Sequence, residues 1–120
     1  MARRGQISIH LHGAIELLLG AGLVVLPFLF GFEPAAIAFS AALGALIIGL
    51  ALTASSEPGG RGSIPLAAHA AYDWGLGVGL IAAGFTFGLL QGHQPMLFFM
   101  GAGAAELLLL ARTRYAPARA

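Results

Sequence analysis

The sequence contains no cysteine and no lysine. Without cysteine there is no disulfide scaffold, no thiolate metal site and no thiol nucleophile. Charge is scarce altogether: Asp, Glu, Lys and Arg make up 9% of the chain, where a soluble globular domain carries roughly 25%. Five acids and six basic residues, with a net charge of +1, give no basic footprint for nucleic acid. Disorder is excluded too, because it needs low hydrophobicity and high charge. What fills the chain instead is apolar: 58% of its 120 residues are hydrophobic, 18 are glycine, and the mean hydropathy is +0.88. This is the composition of an integral membrane protein, in contact with the lipid bilayer.

Crossing a hydrocarbon core of about 30 Å takes roughly 20 apolar residues in a helix. Four stretches qualify, at about Ile9–Phe32, Ala35–Ala54, Pro65–Leu90 and Pro95–Ala111. Each connection between them contains Gly or Pro, as helix breaks should. Arg3 and Arg4 precede the first span, Arg61 lies in the middle loop, and Arg112, Arg114 and Arg119 follow the fourth. An even number of spans puts all six on one side, which the positive-inside rule makes cytoplasmic. Both termini are expected inside the cytoplasmic (bacterial inner) membrane. The first apolar run is too long for a signal peptide and carries Glu16.

Shifting the chain by fifty-seven residues aligns its halves without a gap. His12 falls on His69, Glu16 on Asp73, Gly20 on Gly77, Phe28-x-Phe30-Gly31 on Phe85-x-Phe87-Gly88, and Gly44-Ala45 on Gly101-Ala102. The expected fold is all-α: a four-helix membrane bundle of two tandem two-helix repeats in parallel, related by a pseudo-two-fold axis along the membrane normal. One membrane domain covers residues 1–120. Repeat 1 spans about 8–54, a cytoplasmic loop 55–64, repeat 2 about 65–111, and a tail 112–120. The stripes His12, Glu16, Gly20, Pro27, Gly31 and His69, Asp73, Gly77, Gly84, Gly88 recur at three- and four-residue steps, with one longer gap, and should face the bundle axis. Gly20 and Gly77 on these stripes, with the small-xxx-small pairs Gly75/Gly79 and Gly84/Gly88, are expected at helix contacts.

The pattern resembles the SPW-repeat family of small bacterial membrane proteins. The first copy reads His12-Gly-Ala-Ile-Glu16, Gly20, then Leu26-Pro27-Phe28-Leu29-Phe30-Gly31-Phe32. The second reads His69-Ala-Ala-Tyr72-Asp73-Trp74, Gly77, then Ala83-Gly84-Phe85-Thr86-Phe87-Gly88. The Ser and Trp of the naming motif are absent from both copies, and its Pro survives only as Pro27. The resemblance implies a four-helix protein of the cytoplasmic membrane and brings no established activity. The HdeD-like acid-resistance membrane proteins share the Gly-and-Pro character.

Acids inside a span are costly and mark functional sites by default. Glu16, Asp73 and Glu106 fall in the inner-leaflet layer, with His12 and His69 one turn away on the same faces. The first expectation is interhelical polar glue. A proton or cation path through the layer is the rival. A divalent metal held by these N and O donors and a haem between His12 and His69 follow behind; no cofactor is implied. His10 is expected to be solvated, and Tyr72 and Trp74 to be packed. Ser8, Ser40 and Thr53 lack the His–acid arrangement of a nucleophile. The expectation is a non-enzymatic structural or accessory protein, self-associating or partner-binding, with proton or cation handling as the alternative.

Overall fold

The computed structural model describes residues 7–54 and 66–113. Arg3, Arg4, Arg61, Arg114 and Arg119, the loop 55–64 and most of the tail lie outside the described residues. The described residues form four helices: α1 (Ile9–Phe30), α2 (Pro34–Ala54), α3 (Leu66–Gln91) and α4 (His93–Arg112). Each is long and apolar enough to cross a membrane.

Local chemistry sets the helix ends. The Ser8 hydroxyl accepts from the Leu11 amide at 3.1 Å, an N-cap that starts α1. Gly31 stops it in the left-handed region at φ 70°, with the Phe32 amide bonded back to the Pro27 carbonyl at 3.0 Å. Pro34 then opens α2, where a missing N–H costs nothing. The second hairpin turns on Gly92 alone, at φ 102°, and Pro95 falls within the first turn of α4.

α1 packs along α2 and α3 along α4, while contact between the hairpins is far less extensive and runs α2 to α3 and α1 to α4. α1 and α3 therefore stand diagonally across the bundle. Gly20 and Gly44 bring α1 and α2 together: a Cβ on Gly44 would lie 2.6 Å from the Gly20 carbonyl oxygen. In the second hairpin the partner of Gly77 is Gly103, whose Cβ would lie 2.8 Å from the Gly77 oxygen.

That pairing corrects the gapless repeat. The fifty-seven-residue shift holds between α1 and α3, whose buried positions coincide at His12/His69, Glu16/Asp73, Gly20/Gly77, Leu23/Leu80 and Pro27/Gly84. Between α2 and α4 the shift is two residues longer: Ala36, Ser40, Gly44, Ile47 and Leu50 match Pro95, Phe99, Gly103, Glu106 and Leu109, all buried. Gly101, matched to Gly44 by sequence, faces open space. The cause is at the turn. α3 continues past Gly88, the match of the helix-ending Gly31, and the connection shrinks to Gly92.

Gly84 and Gly88 pack on Met96 and Met100 of α4. Among the described residues Gly75 and Gly79 do not serve as contacts, because a Cβ at either would meet nothing. They sit away from the buried stripe that Gly77 occupies.

Candidate functional site

Ser8 caps α1 so that His12 emerges in its first turn and Glu16 one turn later on the same face. His69 and Asp73 repeat the arrangement near the start of α3. Because α1 and α3 are diagonal, both pairs point at the bundle axis and meet there. His12 Nε2 lies 3.0 Å from Asp73 Oδ2 and 3.3 Å from Glu16 Oε2. His69 Nε2 lies 3.3 Å from Asp73 Oδ2 and 3.4 Å from Glu16 Oε1. The result is a closed ring in which imidazoles and carboxyls alternate. The two imidazoles stand edge to face, centroids 5.6 Å apart. All four side chains are 0% exposed.

Glu106 joins them from α4. It too is 0% exposed, its carboxyl sits beside those of Glu16 and Asp73, and neither of its oxygens receives a hydrogen bond. Its counterpart on α2 is Ile47, so this third acid breaks the two-fold pattern. The structure thus brings together all five polar residues expected from sequence.

Thr113 completes the site and was not expected. It follows α4, where its backbone bridges to Ile7 at the other end of the described chain. Its hydroxyl donates to the Leu109 carbonyl at 2.6 Å, so at 2.7 Å from His12 Nδ1 it can only accept. His12 Nδ1 therefore donates to Thr113, while Nε2 faces the ring, 3.0 Å from Asp73 Oδ2. Nothing in the local sequence signals this contact, which depends on two distant segments meeting at the bundle end.

Tyr72 and Trp74 are exposed on the outside of the bundle, at 54% and 57%, rather than packed. Their inward neighbour Asp73 explains it, since successive helical residues point about 100° apart. His10 is exposed, as expected.

Beyond the ring, towards the hairpin turns, the axis is filled by Leu23, Leu80, Ile47 and Phe99, all at 0–1% exposure. Phe39, Phe87, Phe98 and Phe32 continue the filling through tilted and edge-to-face ring contacts, with half-exposed Phe30 against Phe98 at the edge. Among the described residues the buried polar side chains are the five of the cluster, Thr113 and Ser40. The Ser40 hydroxyl is committed to the Leu23 carbonyl. Compared with protein-family models, with curated proteins and with solved structures, the chain matches none.

Proposed function

We propose that this is a non-enzymatic accessory protein of the bacterial cytoplasmic membrane, with both termini inside. Its polar ring clasps two like hairpins into a unit for self-association or for binding a membrane partner. The observation that carries the reading is the ring. Where the hairpins otherwise touch little, four fully buried side chains, two from each hairpin, interlock at 3.0–3.4 Å. Polar contacts of this kind hold membrane helices together. The arginine distribution supports the orientation, and the motif resemblance supports an SPW-type repeat protein.

Passage of protons or cations, the rival reading, needs polar groups along the whole axis. The apolar filling from Leu23 to the phenylalanines favours a plugged interior.

The test is ion flux. Proteoliposomes containing the pure protein and a trapped pH dye should stay as tight as empty liposomes under an imposed gradient. Proton entry that disappears in the triple variant Glu16→Gln, Asp73→Asn, Glu106→Gln would overturn the accessory reading.

A further inference from the structure

We infer that the ring of His12, Glu16, His69 and Asp73 is a binding site for one first-row divalent metal ion of the zinc type. One donor atom from each of the four residues lies within 4.8 Å of all the others. The four alternating N···O separations are 3.0, 3.3, 3.3 and 3.4 Å, Glu16 facing His12 with Oε2 and His69 with Oε1. Zinc bonds of about 2.0–2.1 Å to imidazole nitrogen and carboxylate oxygen give a tetrahedron whose edges are about 3.3–3.4 Å. A small rotation of the side chains, the Glu16 carboxyl above all, would bring one donor from each residue to such edges.

The donors are also oriented for it. A metal-bound histidine characteristically donates its other ring N–H to a fixed acceptor. His12 does so: Nδ1 donates to a Thr113 hydroxyl that is itself held by the Leu109 carbonyl. That leaves Nε2 facing the carboxyls, hydrogen-bonded to Asp73 at 3.0 Å with Glu16 at 3.3 Å. A central cation would take Nε2 in place of that hydrogen bond and draw on both carboxyls.

Glu106 is the independent observation. It is a fully buried carboxyl with no hydrogen-bond donor on either oxygen, within hydrogen-bond reach of the Glu16 and Asp73 carboxyls. Three carboxyls and two imidazoles share this buried layer, a set of O and N donors that suits a divalent cation. Half of the ring donors are imidazole nitrogens, which suits zinc and its neighbours. Calcium, by contrast, takes six to eight oxygens at about 2.3–2.6 Å.

The inference stands apart from the accessory role, which needs only that the hairpins be held together. It is tested on the full chain in detergent, stripped with EDTA and incubated with Zn²⁺ or Co²⁺ before gel filtration. The expected result is one metal per chain by elemental analysis, and with Co²⁺ the intense visible absorption of a four-coordinate centre. Asp73→Asn and His69→Gln should abolish both signals, and replacing the exposed His10 and His93 by Gln should change neither. Should the ring variants fail to accumulate, Thr113→Val leaves all four donors in place and is expected to weaken binding about 10- to 100-fold. A folded wild-type chain that stays metal-free, a six-coordinate cobalt spectrum, or binding that survives Asp73→Asn or is unmoved by Thr113→Val would each overturn the site. The first would leave the clasp as a hydrogen-bonded ring.

Discussion

The Ser40 hydroxyl donates to the Leu23 carbonyl across the α1–α2 contact at 2.6 Å. Leu23 is the carbonyl that Pro27, lacking an N–H, leaves without its helical donor four residues on. A neighbouring helix thus supplies what the proline removes, the arrangement that makes proline tolerable inside membrane helices. The second hairpin has no such need. Gly84 replaces Pro27 and keeps its N–H, and the position of Ser40 is taken by Phe99. A small residue and a large ring replace a proline and a hydroxyl.

Removing that hydroxyl should therefore matter only while the proline is present. Ser40→Ala is expected to lower stability by about 1–2 kcal/mol, the cost of a buried acceptor left bare. In a Pro27→Ala background the same change should cost a few tenths, because the backbone N–H returns. Denaturant unfolding of the four proteins in mixed micelles measures the difference.

The acids of the layer should separate by their neighbours. Asp73→Leu removes a carboxyl shared by both imidazoles and is expected to cost roughly 3 kcal/mol or more, the range for breaking a buried pair. Glu106→Leu removes a carboxyl that no donor holds and restores the apolar side chain its counterpart Ile47 has. The melting temperature of metal-free Glu106→Leu should equal or exceed that of the parent. A loss as large as that of Asp73→Leu would show that Glu106 belongs to the clasp.

Glycines should divide in the same way. Gly44→Leu drives a side chain into the Gly20 carbonyl and should part α1 from α2, with loss of folded protein from the membrane. Gly75→Ala and Gly79→Ala enter open space and should change the melting temperature by only a degree or two. Thermal scans in one detergent give the comparison directly.

The absence of cysteine makes orientation easy to read. A cysteine placed at Glu33 or His93, both exposed at hairpin turns, should react with a membrane-impermeant maleimide added to intact spheroplasts. A cysteine at Arg112, at the other end of the bundle, should react only after lysis. The reverse pattern would place both termini outside.

Much of this architecture is legible in the sequence because lipid imposes simple demands. Helix length follows from bilayer thickness, and the observed α1 and α2 end within two residues of the expected bounds. The polar stripe from His12 to Glu16 is visible because a carboxyl must face protein. The slip between α2 and α4 is hidden, since an extra turn of α3 and a shorter connection leave the apolar pattern intact. Gly101 and Gly103 look alike in a row of small residues, and only packing distinguishes them. Thr113 is hidden for another reason: its partner His12 lies about a hundred residues earlier.

The ring reads in the same order from either hairpin, a histidine followed one turn later by an acid. One hairpin alone offers half of it and could close it only against a second copy of itself. Joining the halves in one chain makes closure independent of protein concentration. It also releases the two sides from having to be identical. Glu106 opposite Ile47, and Gly84 with Phe99 opposite Pro27 with Ser40, are differences that a symmetric dimer of single hairpins could not carry. Tandem linkage thereby gives this bundle a distinguishable front and back around a nearly symmetric centre.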